Sequence, residues 1–153
     1  MQSILSKGLN VIKNLLHNQM KLLKTILSIT LMLTLVSCGK ESFDAKESYE
    51  LWAFGDVPDD VEVINGQFWK SSHWTYEYIT FLSLKASKNW IDKFVKQNDL
   101  IIAKGNYSMP PESPSWFVPK VGQKVYIEKG FSQGSMFFVN EETGEMLIYD
   151  IQL

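Results

Sequence analysis

The chain has 153 residues, with 15 lysines, no arginine, 17 acids and two histidines, for a formal charge of −2 at neutral pH. That length bounds it to one domain, and a single cysteine excludes an internal disulfide. The lack of a basic stripe excludes the phosphate neutralisation on which nucleic-acid binding relies.

The net charge hides two kinds of material. Residues 1–37 contain four lysines, no acid and no aromatic residue. From Cys38 onward lie all 17 acids, 11 lysines and all 20 aromatics, a formal charge of −6 over 116 residues. Within the first part, Lys21 and Lys24 follow Met20 and precede an apolar run from Ile26 to Val36. A cationic head, an apolar stretch and small residues before a cleavage point make a secretory signal. The stretch is shorter than the roughly 20 residues a transmembrane helix needs. Met20 opens a complete signal, so translation is expected to start there, with residues 1–37 removed.

The four residues Leu35-Val36-Ser37-Cys38 resemble the lipobox of bacterial lipoproteins. The resemblance implies a diacylglycerol on the Cys38 thiol, cleavage before it and acylation, as by palmitate, of the new amino terminus. Two or three acyl chains together give stable anchoring, where one gives only marginal binding. Gly39 stands where some inner-membrane lipoproteins carry aspartate, which favours outer-membrane delivery, with the domain in the periplasm or on the cell surface. Residues 38–47 are polar and read as a solvated tether, which leaves 48–153 as the folded domain.

In chain order, Tyr49–Phe54 is an aromatic run ended by the turn residues Gly55-Asp56-Val57-Pro58. Val61–Ile64 is β-branched and is followed by Asn65-Gly66, a strong hairpin signal, with Gln67–Lys70 as the returning strand. Trp74–Leu84 reads as the longest strand. Ser87–Asn98 reads as a helix: Ser87 suits the N-cap, and Trp90, Ile91, Phe94 and Val95 form one apolar stripe. Leu100–Ala103 is a short apolar strand, and Gly105–Pro119 is a proline-rich loop. Strands are expected at Lys124–Glu128, Ser135–Val139 and Glu145–Ile151, the last two joined by a tight turn with Gly144 at positive φ. Strands, one helix and more strands imply an α+β fold, an antiparallel sheet of hairpins with an amphipathic helix on one face.

Candidate chemistry is sparse. His73 is the one histidine beyond Cys38, and Ser72 beside it points to the opposite side of an extended segment. Ser71 can share its side, but no glycine elbow surrounds it, so no catalytic residue is assigned. Asp56, Asp59, Asp60 and Glu62 crowd one turn without the spacing of a calcium loop. One histidine and a lipidated cysteine do not make a zinc site. Neither a metal nor a cofactor is expected.

The aromatic content is the unusual feature, because tryptophan is enriched at binding hot spots. Trp69, His73, Trp74, Trp116 and Phe117 are the candidate partner-binding residues. The last two sit in a loop that Pro110, Pro111 and Pro114 would pre-organise, unless the pair folds back onto the sheet. Phe68-Trp69-Lys70, the Ser72-His73 pair and Pro114-Ser115-Trp116-Phe117-Val118-Pro119 resemble, over residues 54–153, a group of small exported bacterial proteins sharing a Pro-x-Trp-aromatic-x-Pro element. No activity comes with that resemblance. The expectation is a membrane-tethered, non-enzymatic module that binds an envelope protein; the alternatives are an envelope hydrolase and a carrier of a small apolar ligand.

Overall fold

A computed structural model describes residues 17, 19–25 and 39–153, apart from 74, 106, 111, 131 and 132. The chain divides into two units, Met1–Ser37 and Cys38–Leu153. Residues 19–25 of the first are helical. Cys38 and most of the signal segment lie outside the described residues.

The second unit is α+β, a seven-stranded antiparallel sheet with two helices on one face. In chain order its elements are β1 (Lys40–Ser42), α1 (Ala45–Ala53), β2 (Val61–Lys70), β3 (Tyr78–Ala86), α2 (Lys88–Gln97), β4 (Leu100–Ile102), β5 (Lys124–Glu128), β6 (Met136–Val139) and β7 (Glu145–Gln152). The spatial order is β1-β2-β3-β7-β6-β5-β4. The chain builds one half, crosses through α2 to the far edge, and returns strand by strand until β7 closes against β3.

The stretch expected to be a tether folds from Lys40. β1 pairs with the end of β2, Lys40 opposite Lys70 and Ser42 opposite Phe68. Its polar residues are spent on a helix start rather than on water. The Asp44 carboxylate accepts the Glu47 amide at 2.8 Å as the N-cap of α1. Glu47 reaches back to the Ser42 hydroxyl and the Lys40 ammonium, both at 2.6 Å, and these two bonds hold its carboxyl below the usual range. The aromatic run from Tyr49 is thereby helical.

Asn65-Gly66 does not turn the chain. β2 runs straight through it, with a bulge between Val63 and Asn65. A Cβ on Gly66 would lie 2.6 Å from Ser48 Cβ and 3.0 Å from the Ala45 backbone. The glycine is the seat on which α1 crosses the strand, and tertiary packing overrides the turn signal. The hairpin instead closes at residues 71–77, where the Ser71 amide donates to the Glu77 carbonyl at 2.9 Å, so β3 begins at Tyr78 rather than Trp74.

α2 forms where its stripe predicts. Ser87 accepts the Trp90 amide at 3.1 Å while donating to Asp60 at 2.6 Å. Ile91 and Phe94 are buried, and Trp90 stacks on Phe94 with centroids 5.1 Å apart. The β6–β7 turn also forms as expected. Gly144 takes φ 76°, and a side chain there would run into the Ala86 carbonyl.

Strand alternation sorts the sheet's side chains onto two faces. Leu82, Leu84, Phe137, Val139, Met146 and Ile148 form the core beneath α1 and α2. Phe81, Met136, Phe138 and Leu147 point the other way, where no helix lies among the described residues, and the segment after β4 covers them. We call these the helix face and the loop face.

Candidate functional site

The loop face holds every candidate binding residue that lies on a sheet or on its cover. The proline-rich segment lies against it as a series of tight turns. The Ser113 amide and hydroxyl both donate to the Pro110 carbonyl, at 3.1 and 2.6 Å, and the Phe117 amide donates to the Pro114 carbonyl at 2.9 Å. Each proline fixes its own φ, which reduces the entropy lost on ordering the segment.

Phe117 is the plug. It is 2% exposed, edge-on to Phe81 at 5.1 Å and to Phe138 at 6.0 Å. It belongs to the core rather than to an accessible surface, because three ring contacts remove it from water. Trp116 packs partly buried against the same cluster, its ring 6.0 Å from that of Phe117. The fold-back of this pair lands on the middle of the sheet.

Two grooves remain open beside the cover. The first, about 250 Å³, is lined by Trp69, Gln67, Ile79 and Phe81, with Glu41 and Glu112 at its rim. Register places these residues together: Trp69 opposite Ile79 and Glu41, Gln67 opposite Phe81. Trp69 is 41% exposed, a large aromatic left half in water in a groove that two carboxylates also line. The second groove, about 160 Å³, runs between Ile64 and Trp116, with Val118 at one wall. Ile64 is 49% and Val118 63% exposed. Lys120 and Glu145 form an ion pair of 2.8 Å at its end, and that bond lowers the Glu145 carboxyl from its ordinary value.

Trp69 and Trp116 therefore share a face but line different grooves. His73 sits apart, at the β2–β3 hairpin, with its side chain largely in water. Its imidazole Nδ1 lies 3.3 Å from Glu77 Oε2, and its backbone amide donates to Ser71 Oγ at 3.3 Å. The Glu77 carboxyl is lowered first by the Thr75 hydroxyl, which donates to it at 2.7 Å, then by Ser71 and His73. The histidine thus joins a network that ties the hairpin shut, and its ring faces a carboxylate rather than a serine nucleophile. Trp74 lies outside the described residues.

Of the crowded acids near Pro58, Asp56, Asp59 and Glu62 are exposed. Asp60 braces the start of α2 through Ser87, and among the described residues no three His, Cys, Asp or Glu side chains converge to hold a metal. Sequence reasoning missed Ile64, Val118, Glu41 and Glu112. Ile64 is turned outward by the β2 bulge, a feature with no local sequence signal, and Glu41 was assigned to a tether. No family model, no curated protein and no solved structure matches the chain.

Proposed function

We propose that the chain is a lipoprotein anchored through Cys38, with outer-membrane delivery favoured, and that its folded domain is a non-enzymatic module binding an envelope protein on the loop face. The observation that supports this reading is the set of Trp69, Ile64 and Val118, three large apolar side chains at 41%, 49% and 63% exposure in the two grooves beside the proline-turned cover. Grooves that expose large apolar side chains beside polar groups are what protein interaction sites present. Anchoring and pre-organisation act in the same direction, since a tethered domain with an ordered loop loses less entropy on binding.

Two measurements test the proposal separately. Metabolic labelling with a fatty-acid analogue marks the wild type and leaves Cys38→Ala unlabelled; label persisting in the mutant removes the anchor from the proposal. Chemical cross-linking in intact membranes then captures a discrete adduct with the wild type, and Trp69→Ala loses it while melting normally. An adduct undiminished by Trp69→Ala, Ile64→Ser and Val118→Ser together rules out the loop face as the contact.

A further inference from the structure

The helix face carries a second site, independent of the loop-face reading. Between α1 and α2 lies a cleft of about 400 Å³, within the range of small-molecule sites. Tyr49 and Trp52 of α1 line one side, and Trp90 and Phe94 of α2 line the other; Tyr78 of β3 and Asp150 of β7 also line it. The aromatic walls meet, with Trp52 centred 5.7 Å from Tyr49 and 5.9 Å from Phe94.

Among the described residues, the donors that hold Asp150 are all neutral. Trp52 Nε1 donates to its Oδ2 at 2.8 Å and the Tyr78 hydroxyl to the same oxygen at 2.7 Å, while the Ser135 hydroxyl donates to Oδ1 at 2.6 Å. Burial, then the Asp150 charge, pushes the Tyr78 phenol far up, so it stays a donor. None of these groups cancels the carboxylate's charge, and among the described residues Asp150 forms no ion pair. Glu128, which lines an adjoining cleft with Asp150, adds a second negative charge: burial and then Asp150 raise its own carboxyl. The cleft combines aromatic walls with an unbalanced negative charge.

We propose that this cleft binds a small organic cation whose recognised part is an alkylated, quaternary ammonium group. Aromatic rings attract such a cation through their quadrupoles. The alkylation follows from the hydrogen-bond count. A carboxylate offers about four acceptor positions, and three are taken, so Asp150 has charge to offer but little room for further donors. A primary ammonium, with three N–H groups to satisfy, is served poorly; a quaternary one asks only for charge and apolar contact.

The test is titration of the full chain in a maltoside detergent, read on the Trp52 indole N–H resonance, which Trp52→Phe assigns. Choline shifts the resonance saturably. Its neutral isostere 3,3-dimethylbutan-1-ol binds about tenfold or more weaker, and ethanolamine is weaker likewise. Equal affinity for the neutral isostere, or no shift with choline, overturns the proposal. Asp150→Asn, checked for an unchanged melting curve, loses affinity for choline and not for the alcohol; unchanged choline affinity overturns it as well. These first two readouts use the wild type, so a poorly folding variant does not shield the claim. The source of the cation is read by vesicle co-sedimentation of the Cys38→Ala chain. Pelleting with phosphatidylcholine vesicles, reversed by free choline, assigns a lipid headgroup, and choline binding without pelleting assigns a soluble ligand.

Discussion

The two faces of the sheet are closed by different means. On the helix face, an amphipathic helix lays Ile91 and Phe94 onto Leu82, Phe137 and Ile148, and a second helix docks on the bare back of Gly66. On the loop face, a segment without regular structure does the same work through one fully buried ring, Phe117, and partial cover from Trp116 and Met109. A helix buries its stripe along its own length, so what stays open on that face lies between the two helices. A loop buries single residues at the points where its turns touch the sheet, so the surface between those points stays open. That is why the exposed apolar set and its two grooves flank the loop.

The comparison breaks if either cover is dispensable, and the largest effects test this. Phe94→Ala is expected to cost about 3–5 kcal/mol and Phe117→Ala a similar amount, the usual range for a buried aromatic. Thermal melts measure both. A Phe117→Ala midpoint within a degree of wild type would show that the loop merely rests on the sheet.

Gly66→Val probes the helix face alone. Its side chain meets the Ala45 backbone, which cannot move without lifting α1, so a loss of about 1–3 kcal/mol is expected. A neutral effect would mean that α1 is not seated on the strand.

The paired tryptophans sharpen the contrast within the loop face. Trp116→Ala should lower stability by about 1–2 kcal/mol, because its ring is half-buried against the Phe117 cluster, whereas Trp69→Ala should stay within about 0.5 kcal/mol. Equal losses would place Trp69 in the core and contradict its proposed role.

The smallest effect concerns the charge beside the cleft. Burial, then Asp150, raises the folded-state Glu128 carboxyl above its unfolded value. Its ionised form is therefore penalised by folding: the penalty is absent below the unfolded value of about 4.3 and complete above the raised folded one. Glu128→Gln should raise the melting temperature at pH 7 by an amount equivalent to less than about 0.5 kcal/mol, since the group is only partly buried. The gain should vanish below about pH 4; a gain that persists there would have a cause other than desolvated charge.

Much of the fold was legible from residues 87–152. The Ser87 cap, the Trp90–Val95 stripe and Gly144 act over three to five positions, and the period of a helix or the φ of a turn is written in adjacent residues. The same logic failed between residues 39 and 78. There the Asn65-Gly66 pair has a local meaning, but Gly66 is claimed by α1, and the polar residues before Asp44 serve a cap rather than a tether. The site residues divide likewise. The aromatic content and the Trp116-Phe117 pair stood out by composition, yet which ring is plug and which is wall depends on where the loop lands.

What the sequence determined by itself is the order of elements after Ser87, the α+β class and the turn chemistry, because these arise from short-range sterics and periodicity. Only the tertiary structure decided that Asp150 gathers donors from Trp52, Tyr78 and Ser135, which lie 98, 72 and 15 positions away along the chain. Strand pairing and helix crossing bring those groups within hydrogen-bond distance, and no spacing between them marks the meeting point in advance.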